Sequence, residues 1–184
     1  MFWVKVEGKE NIDLSRRYLI CPNHISNLDP VLLVLKMPGK MQIHYMAKAE
    51  LFRSKLGNWF FRKVGAFPVN RGKGDLTAVE TAIDVLKNGG YLGIFIEGTR
   101  SFDGKPLPPK AGGALIASKT RSGVLPVGIS TKGGKVRPFK PITIRIGQYI
   151  PYEELGMSDK PGASQIKGAT HKMMDAIVGL LDPM

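Results

Sequence analysis

Short apolar runs alternate along the chain with stretches in which apolar residues recur every three or four positions, the pattern of strands interleaved with helices. The runs predict strands at Trp3–Val6, Tyr18–Cys21, Gln42–Met46, Ala66–Val69, Tyr91–Ile96, Leu125–Ile129 and Ile142–Ile146. Helices are predicted from about Pro30, Lys48, Asp75, Ala111 and Ser164. The Asp75 helix is the clearest: an aspartate cap precedes Leu76, Val79, Ile83 and Leu86 at helical spacing, and Gly89-Gly90 follows as a stop. In the last helix Ile166, Thr170, Met173, Met174, Ile177 and Leu181 share one face, which is read as packing on the sheet. The fold class expected is α/β, a mixed and mostly parallel sheet of about seven strands flanked by helices. Neither a repeat nor a linker breaks the pattern, so residues 1–184 are read as a single domain.

Composition is that of a globular chain, 43% hydrophobic and 23% charged. The balance of charge adds more. Lysines and arginines number 27 against 15 acids, a formal net charge of +12, so partners should be anionic: nucleic acid, a membrane surface or phosphorylated substrates. Cys21 is the single cysteine, which excludes an intramolecular disulfide and makes a reducing, cytoplasmic setting the default. No apolar run approaches the ~20 residues that span a bilayer, and the first seven residues alternate like a strand instead of resembling a signal peptide.

Candidate chemistry begins after the Tyr18–Cys21 run, at Asn23-His24-Ile25-Ser26-Asn27-Leu28-Asp29-Pro30. A histidine with an aspartate five residues on, across a strand-to-helix turn, forms a general-base pair if the carboxylate meets the imidazole. Asp29-Pro30 also reads as a helix cap followed by proline in the first turn, and the residues alone leave both readings open. At the carboxyl end of the Tyr91–Ile96 run, where α/β sheets bind ligands, stand Glu97, Gly98, Thr99 and Arg100. Arg100 suits a phosphate, although such a tetrapeptide is also an ordinary loop with a surface ion pair. Gly65-Ala66-Phe67-Pro68-Val69-Asn70-Arg71 ends in a second arginine, and Ser101–Lys110, with Gly104 and three prolines, reads as a loop-sized connection. His44 and His171 lack ligand spacing with His24, and no metal is expected.

Taken in order, Asn-His-x-Ser-x-x-Asp, Gly-x-x-Phe-x-x-Arg, Glu-Gly-Thr-Arg and Val124-Leu125-Pro126-Val127-Gly128 resemble the four motif blocks of the 1-acyl-sn-glycerol-3-phosphate acyltransferase family, over about Val4 to Ile150. Lys110-Ala111-Gly112 is similar to a Lys-x-Gly that members carry between the third and fourth blocks. The resemblance implies transfer of a fatty acyl group from acyl-CoA or acyl carrier protein, as a donor substrate and with no cofactor, to the 2-hydroxyl of lysophosphatidic acid. The product would be phosphatidic acid. It implies His24 as base, Asp29 as its orienting partner, Arg71 and Arg100 as phosphate contacts, and Glu97, Gly98 and Thr99 as residues shaping the acceptor site. Lys48 matches a family lysine that reaches the same phosphate. Members carry an apolar segment ahead of the first strand, whereas this sequence starts almost at that strand.

Direct attack by the acceptor hydroxyl is expected, since there is no Gly-x-Ser-x-Gly elbow and Cys21 falls in a strand read as buried. Another acceptor, glycerol 3-phosphate or a different lysophospholipid, is the nearest alternative; a basic nucleic-acid-binding domain is the alternative from another class, though no such motif is present. No nucleic-acid partner is therefore expected. Attachment to the inner face of the cell membrane is expected through a helix over Lys48–Lys63, whose Leu51, Phe52, Leu56, Trp59 and Phe60 share an arc edged by Arg53, Lys55 and Arg62. Lys63 interrupts that arc and Phe61 lies outside it, so packing on the core is an equal reading.

Overall fold

The computed structural model describes residues 3–69, 76–131, 133–134, 136 and 140–182. All seven predicted strands form: β1 (Val4–Glu7), β2 (Tyr18–Pro22), β3 (Ile43–Lys48), β4 (Ala66–Val69), β5 (Tyr91–Gly93), β6 (Gly123–Thr131) and β7 (Ile142–Ile146). They make one sheet in the order β1-β7-β6-β2-β5-β3-β4. Strands β6, β2, β5, β3 and β4 run parallel; β7 is antiparallel to β6, and β1 runs with β7. A strand paired in parallel on both sides must hide both faces. That is why Tyr18–Pro22 reads as a continuous apolar run and is buried throughout.

Alternate residues of β2 serve two cores. Leu19 and Cys21 pack with α3 (Leu76–Lys87), α4 (Gly112–Thr120) and α5 (Ala163–Val178), while Tyr18 and Ile20 pack on the face covered by α1 (Asp29–Lys36). Thr170, Met173, Met174 and Ile177 of α5 are buried, as the face pattern predicts. At the end of α3, Gly89 takes a φ of 82° and the N–H groups of Gly89 and Gly90 bond back to Leu86 and Val85, so the glycine pair stops the helix. Asp75, read as its cap, lies outside the described residues.

Two elements differ from the pattern. Strand β5 ends at Gly93 rather than Ile96, because the chain turns there: Gly98 N–H bonds Phe95 O at 2.9 Å and Gly98 adopts a φ of 71°. The helix expected from Lys48 is instead the last residue of β3, a 3-10 turn at Ala49–Phe52 and a separate helix α2 (Lys55–Lys63). Ser54 makes the break, since its hydroxyl caps the new helix by accepting from Gly57 N–H at 3.0 Å. Leu51 and Phe52 therefore do not lie on the same helix as Trp59.

The sheet has unlike margins. On one, β1 carries Lys5 and Glu7, paired at 2.7 Å. On the other, β4 carries the exposed Pro68 opposite Ala47.

Close packing inside the sheet gives a direct test. A β-carbon at Gly93 would lie 1.9 Å from the Tyr45 ring, and that ring is fully buried. Gly93→Ala should lower unfolding stability by about 1–3 kcal/mol, read from a denaturant melt, whereas Gly112→Ala, where nothing lies within 4 Å, should not destabilise the protein.

Candidate active site

Parallel strands point their carboxyl ends to one edge of the sheet, and β2, β5, β3 and β4 stand side by side there. Segments distant in sequence are thereby brought together. The His24–Asp29 loop leaves the end of β2, the Glu97–Arg100 turn follows β5, and Lys48 terminates β3. Arg71 lies outside the described residues.

Asp29 is completely buried, and its Oδ2 accepts from His24 Nδ1 at 2.9 Å, Ile25 N–H at 2.8 Å and Ser26 N–H at 2.7 Å. The capping reading is corrected by this geometry. Asp29 is itself the first helical residue, Leu28 occupies the cap position without a side-chain bond, and the carboxylate reaches backward into the loop instead of forward into the helix. A carboxylate only accepts, so His24 Nδ1 carries the hydrogen and Nε2 is left with its lone pair to take a proton. The imidazole is mostly buried, with 13% of its side chain exposed, and stacks on Phe95 at 4.0 Å between centroids. Ring, carboxylate and backbone thus fix the imidazole in one orientation.

Glu97 braces this loop from the turn that follows β5. It is 2% exposed, and its two oxygens accept from His24 N–H at 2.9 Å and Leu107 N–H at 3.0 Å. Burial pushes its carboxyl above the usual carboxylate range, and the two backbone donors partly offset that shift. Ser101 N–H closes the other side by bonding His24 O at 2.7 Å. Asn23, also buried, exchanges two hydrogen bonds with Ile129 of β6, at 2.9 and 2.6 Å. The roles of Asn23, Phe95, Ser101 and Leu107 were not assigned from sequence. Asn23 adjoins the histidine and carried a usable signal; the others act through backbone N–H groups or a ring that reads as core.

Thr99 is exposed, and Arg100 is half-buried with its guanidinium 5.4 Å from the Phe102 ring centroid. Lys48 is exposed at the same edge. Cys21 is fully buried, which raises its thiol pKa and removes it from use as a nucleophile. The arrangement offers an oriented imidazole with Nε2 free to take a proton and cationic side chains at the same edge of the sheet, while Cys21 is too deeply buried to act as a nucleophile.

The fold is that of an acyltransferase: residues 3–130 match the family model Acyltransferase. A Bacillus subtilis 1-acyl-sn-glycerol-3-phosphate acyltransferase is 31% identical over 95% of this chain and 86% of its own length. One from Borreliella burgdorferi is 34% identical over 66% of the chain, which spans about half of that relative (49%). The crystal structure of the 1-acyl-sn-glycerophosphate (LPA) acyltransferase PlsC from Thermotoga maritima superposes with a TM-score of 0.76 at 28% identity, covering 97% of this chain and 70% of that one. The chain belongs to the 1-acyl-sn-glycerol-3-phosphate acyltransferase family.

His24→Ala should abolish turnover while leaving acceptor binding nearly unchanged, because the base acts in the transition state. Asp29→Asn should cut kcat by about 10²–10⁴-fold in a protein that still folds, measured as release of free thiol. Turnover within tenfold of the parent for either variant would remove that residue from the mechanism.

Proposed function

We propose that the chain transfers a fatty acyl group from an acyl thioester, acyl-CoA or acyl carrier protein, to the 2-hydroxyl of 1-acyl-sn-glycerol-3-phosphate, forming phosphatidic acid in phospholipid biosynthesis. The observation that carries this reading is the buried His24–Asp29 pair beside an open cationic margin, with His24 Nδ1 held 2.9 Å from the carboxylate. Nε2 withdraws the proton as the acceptor oxygen attacks the thioester carbonyl. The tetrahedral intermediate then expels the thiolate, and the imidazolium returns the proton to sulfur. Asp29 stabilises the imidazolium between those events. Lys48, Arg71 and Arg100 are assigned to the acceptor phosphate, whose two negative charges suit several cations better than a zwitterionic head group would. Gly98 and Thr99 shape the turn that presents Arg100.

Arg100→Ala should raise the acceptor KM at least about tenfold and leave the donor KM unchanged. In the parent, lysophosphatidic acid should be preferred over phosphate-free monoacylglycerol. Equal efficiency on the two would overturn the phosphate site.

A membrane-resident acceptor calls for membrane contact, and α2 is the element we assign to it. None of its residues is buried. Leu56, Trp59 and Phe60 are 76%, 60% and 39% exposed, and Lys55, Arg62 and Lys63 are exposed beside them. Phe61, outside the arc, is instead partly covered and meets Phe52 at 5.6 Å. An apolar face with a basic rim fits the anionic inner surface of the cell membrane, each basic residue adding about 1 kcal/mol. No helix among the described residues is long and apolar enough to cross a membrane. Co-sedimentation should favour anionic over zwitterionic vesicles and fall with salt and with Trp59→Ala; binding unaffected by that change in a folded protein would move the contact elsewhere.

A further inference from the structure

The segment Ser101–Lys110, between the Glu97–Arg100 turn and α4, contains neither helix nor strand, yet it is tied down along its length. Ser101 N–H donates to His24 O at 2.7 Å and Lys110 N–H to Ile96 O at 2.6 Å, which fixes both ends, and Leu107 N–H donates to Glu97 Oε2 at 3.0 Å between them. Near the tip, Asp103 Oδ1 accepts from the Ser101 hydroxyl at 2.9 Å and from Lys105 N–H at 3.0 Å, and the Ser101 oxygen accepts from Gly104 N–H at 3.0 Å. Gly104 packs on the β6–β7 connection so closely that a β-carbon there would lie 2.4 Å from Gly134 Cα. Pro106, Pro108 and Pro109 stiffen the remainder. A loop held this firmly has a fixed outer surface, and its largest apolar side chain lies on it: Phe102 is 74% exposed. Leu28, also exposed, stands on the neighbouring loop to which Ser101 is bonded. Lys105 and Lys110 are exposed on the same segment, and its single acid, Asp103, is engaged by the loop's own donors.

Resting on the acyl transfer proposed above, we infer that the Ser101–Lys110 loop is a second contact with an anionic lipid surface, in which Phe102 enters the bilayer boundary while Lys105 and Lys110 remain among the lipid head groups. An aromatic tip flanked by ammonium groups suits that boundary, because the ring leaves water there and the lysines keep their hydration beside lipid phosphates. Two apolar side chains on separate loops offer far less than the roughly 800 Å² per partner that a stable protein interface buries, whereas a fluid lipid layer adapts to so small a wedge. The loop differs from α2 in what it is joined to. Ser101 N–H and the Glu97 carboxylate both hold the backbone of His24, so seating Phe102 in lipid sets the height of the imidazole above the bilayer. An acceptor can then keep its acyl chain in the membrane and raise only its glycerol and head group to the site. In this division α2 attaches the protein, and the Phe102 loop orients it.

Phe102→Ser removes the apolar tip at an exposed position. It should lower kcat/KM about tenfold or more on lysophosphatidic acid carried in vesicles of phosphatidylglycerol and phosphatidylcholine, and change it less than about twofold on a short-chain lysophosphatidic acid dissolved as monomer. Phe102→Leu keeps an apolar tip but removes the ring that lies 5.4 Å from the Arg100 guanidinium, and it should retain the vesicle-borne rate within about threefold. In a Trp3→Phe, Trp59→Phe background, Phe102→Trp should emit at shorter wavelength once acceptor-free vesicles of the same composition are added. Equal loss on dissolved and vesicle-borne acceptor in Phe102→Ser would make Phe102 a contact of the substrate or of Arg100 and overturn the inference. So would a loss in Phe102→Leu as large as in Phe102→Ser, or an emission that vesicles leave unmoved. The acyl-transfer reading is judged separately, by the parent on the dissolved acceptor: absence of turnover there removes that reading, while the emission of Phe102→Trp still decides the lipid contact.

Discussion

Asp29 is a carboxylate without solvent contact, and a charge so placed persists only where donors replace the water it has lost; three of them converge on Oδ2, two from the backbone of Ile25 and Ser26 and one from His24. The need to satisfy that oxygen bends the loop after β2 back on itself. The bend presents the imidazole with its other nitrogen available, so the same bonds that make the buried charge tolerable also set the tautomer of His24. A second buried carboxylate, Glu97, repeats the device from the turn after β5 by gripping the backbone N–H of His24. The course of the loop and the orientation of the imidazole are in this sense one requirement.

The sheet makes that requirement achievable. Strand β5 lies between β2 and β3 although it follows both in sequence, and its turn therefore lands beside the loop it must brace. Residues more than 70 positions apart, His24 and Glu97 with |i−j| of 73, come within hydrogen-bond distance through strand order alone. On the far side of β2, Asn23 ties the start of the loop to Ile129 of β6. His24 is thus referenced to both neighbours of the central strand, which limits the drift of its ring.

Much of this was legible in the sequence. Continuous apolar runs such as Tyr18–Cys21 mark strands hidden on both faces, and the spacing of Met173, Met174 and Ile177 marks a helix face that is buried. The histidine and its aspartate were legible as a pair, but the direction in which Asp29 points was not, because Asp-Pro at a helix start has the same spelling whether the carboxylate caps forward or reaches back. Ser54 shows a related ambiguity: a lone serine inside an amphipathic stretch gave no reason to split the helix, yet its hydroxyl starts a new one. Contacts made by backbone N–H groups, those of Leu107 and Ser101 among them, leave no mark on residue type and had to be seen in three dimensions.

The unlike margins of the sheet bear on how a basic chain with exposed apolar side chains resists edge-to-edge strand pairing. A terminal strand offers unsatisfied amides and carbonyls to any other extended chain, which is the route to fibrous aggregation. Pro68 in β4 has no amide hydrogen to offer, and Lys5 and Glu7 of β1 present charges that an incoming apolar strand would have to dehydrate. Apolar recruitment is therefore discouraged along the backbone at both ends of the sheet, and the exposed apolar side chains of α2 are kept apart from any edge that could seed an ordered peptide stack.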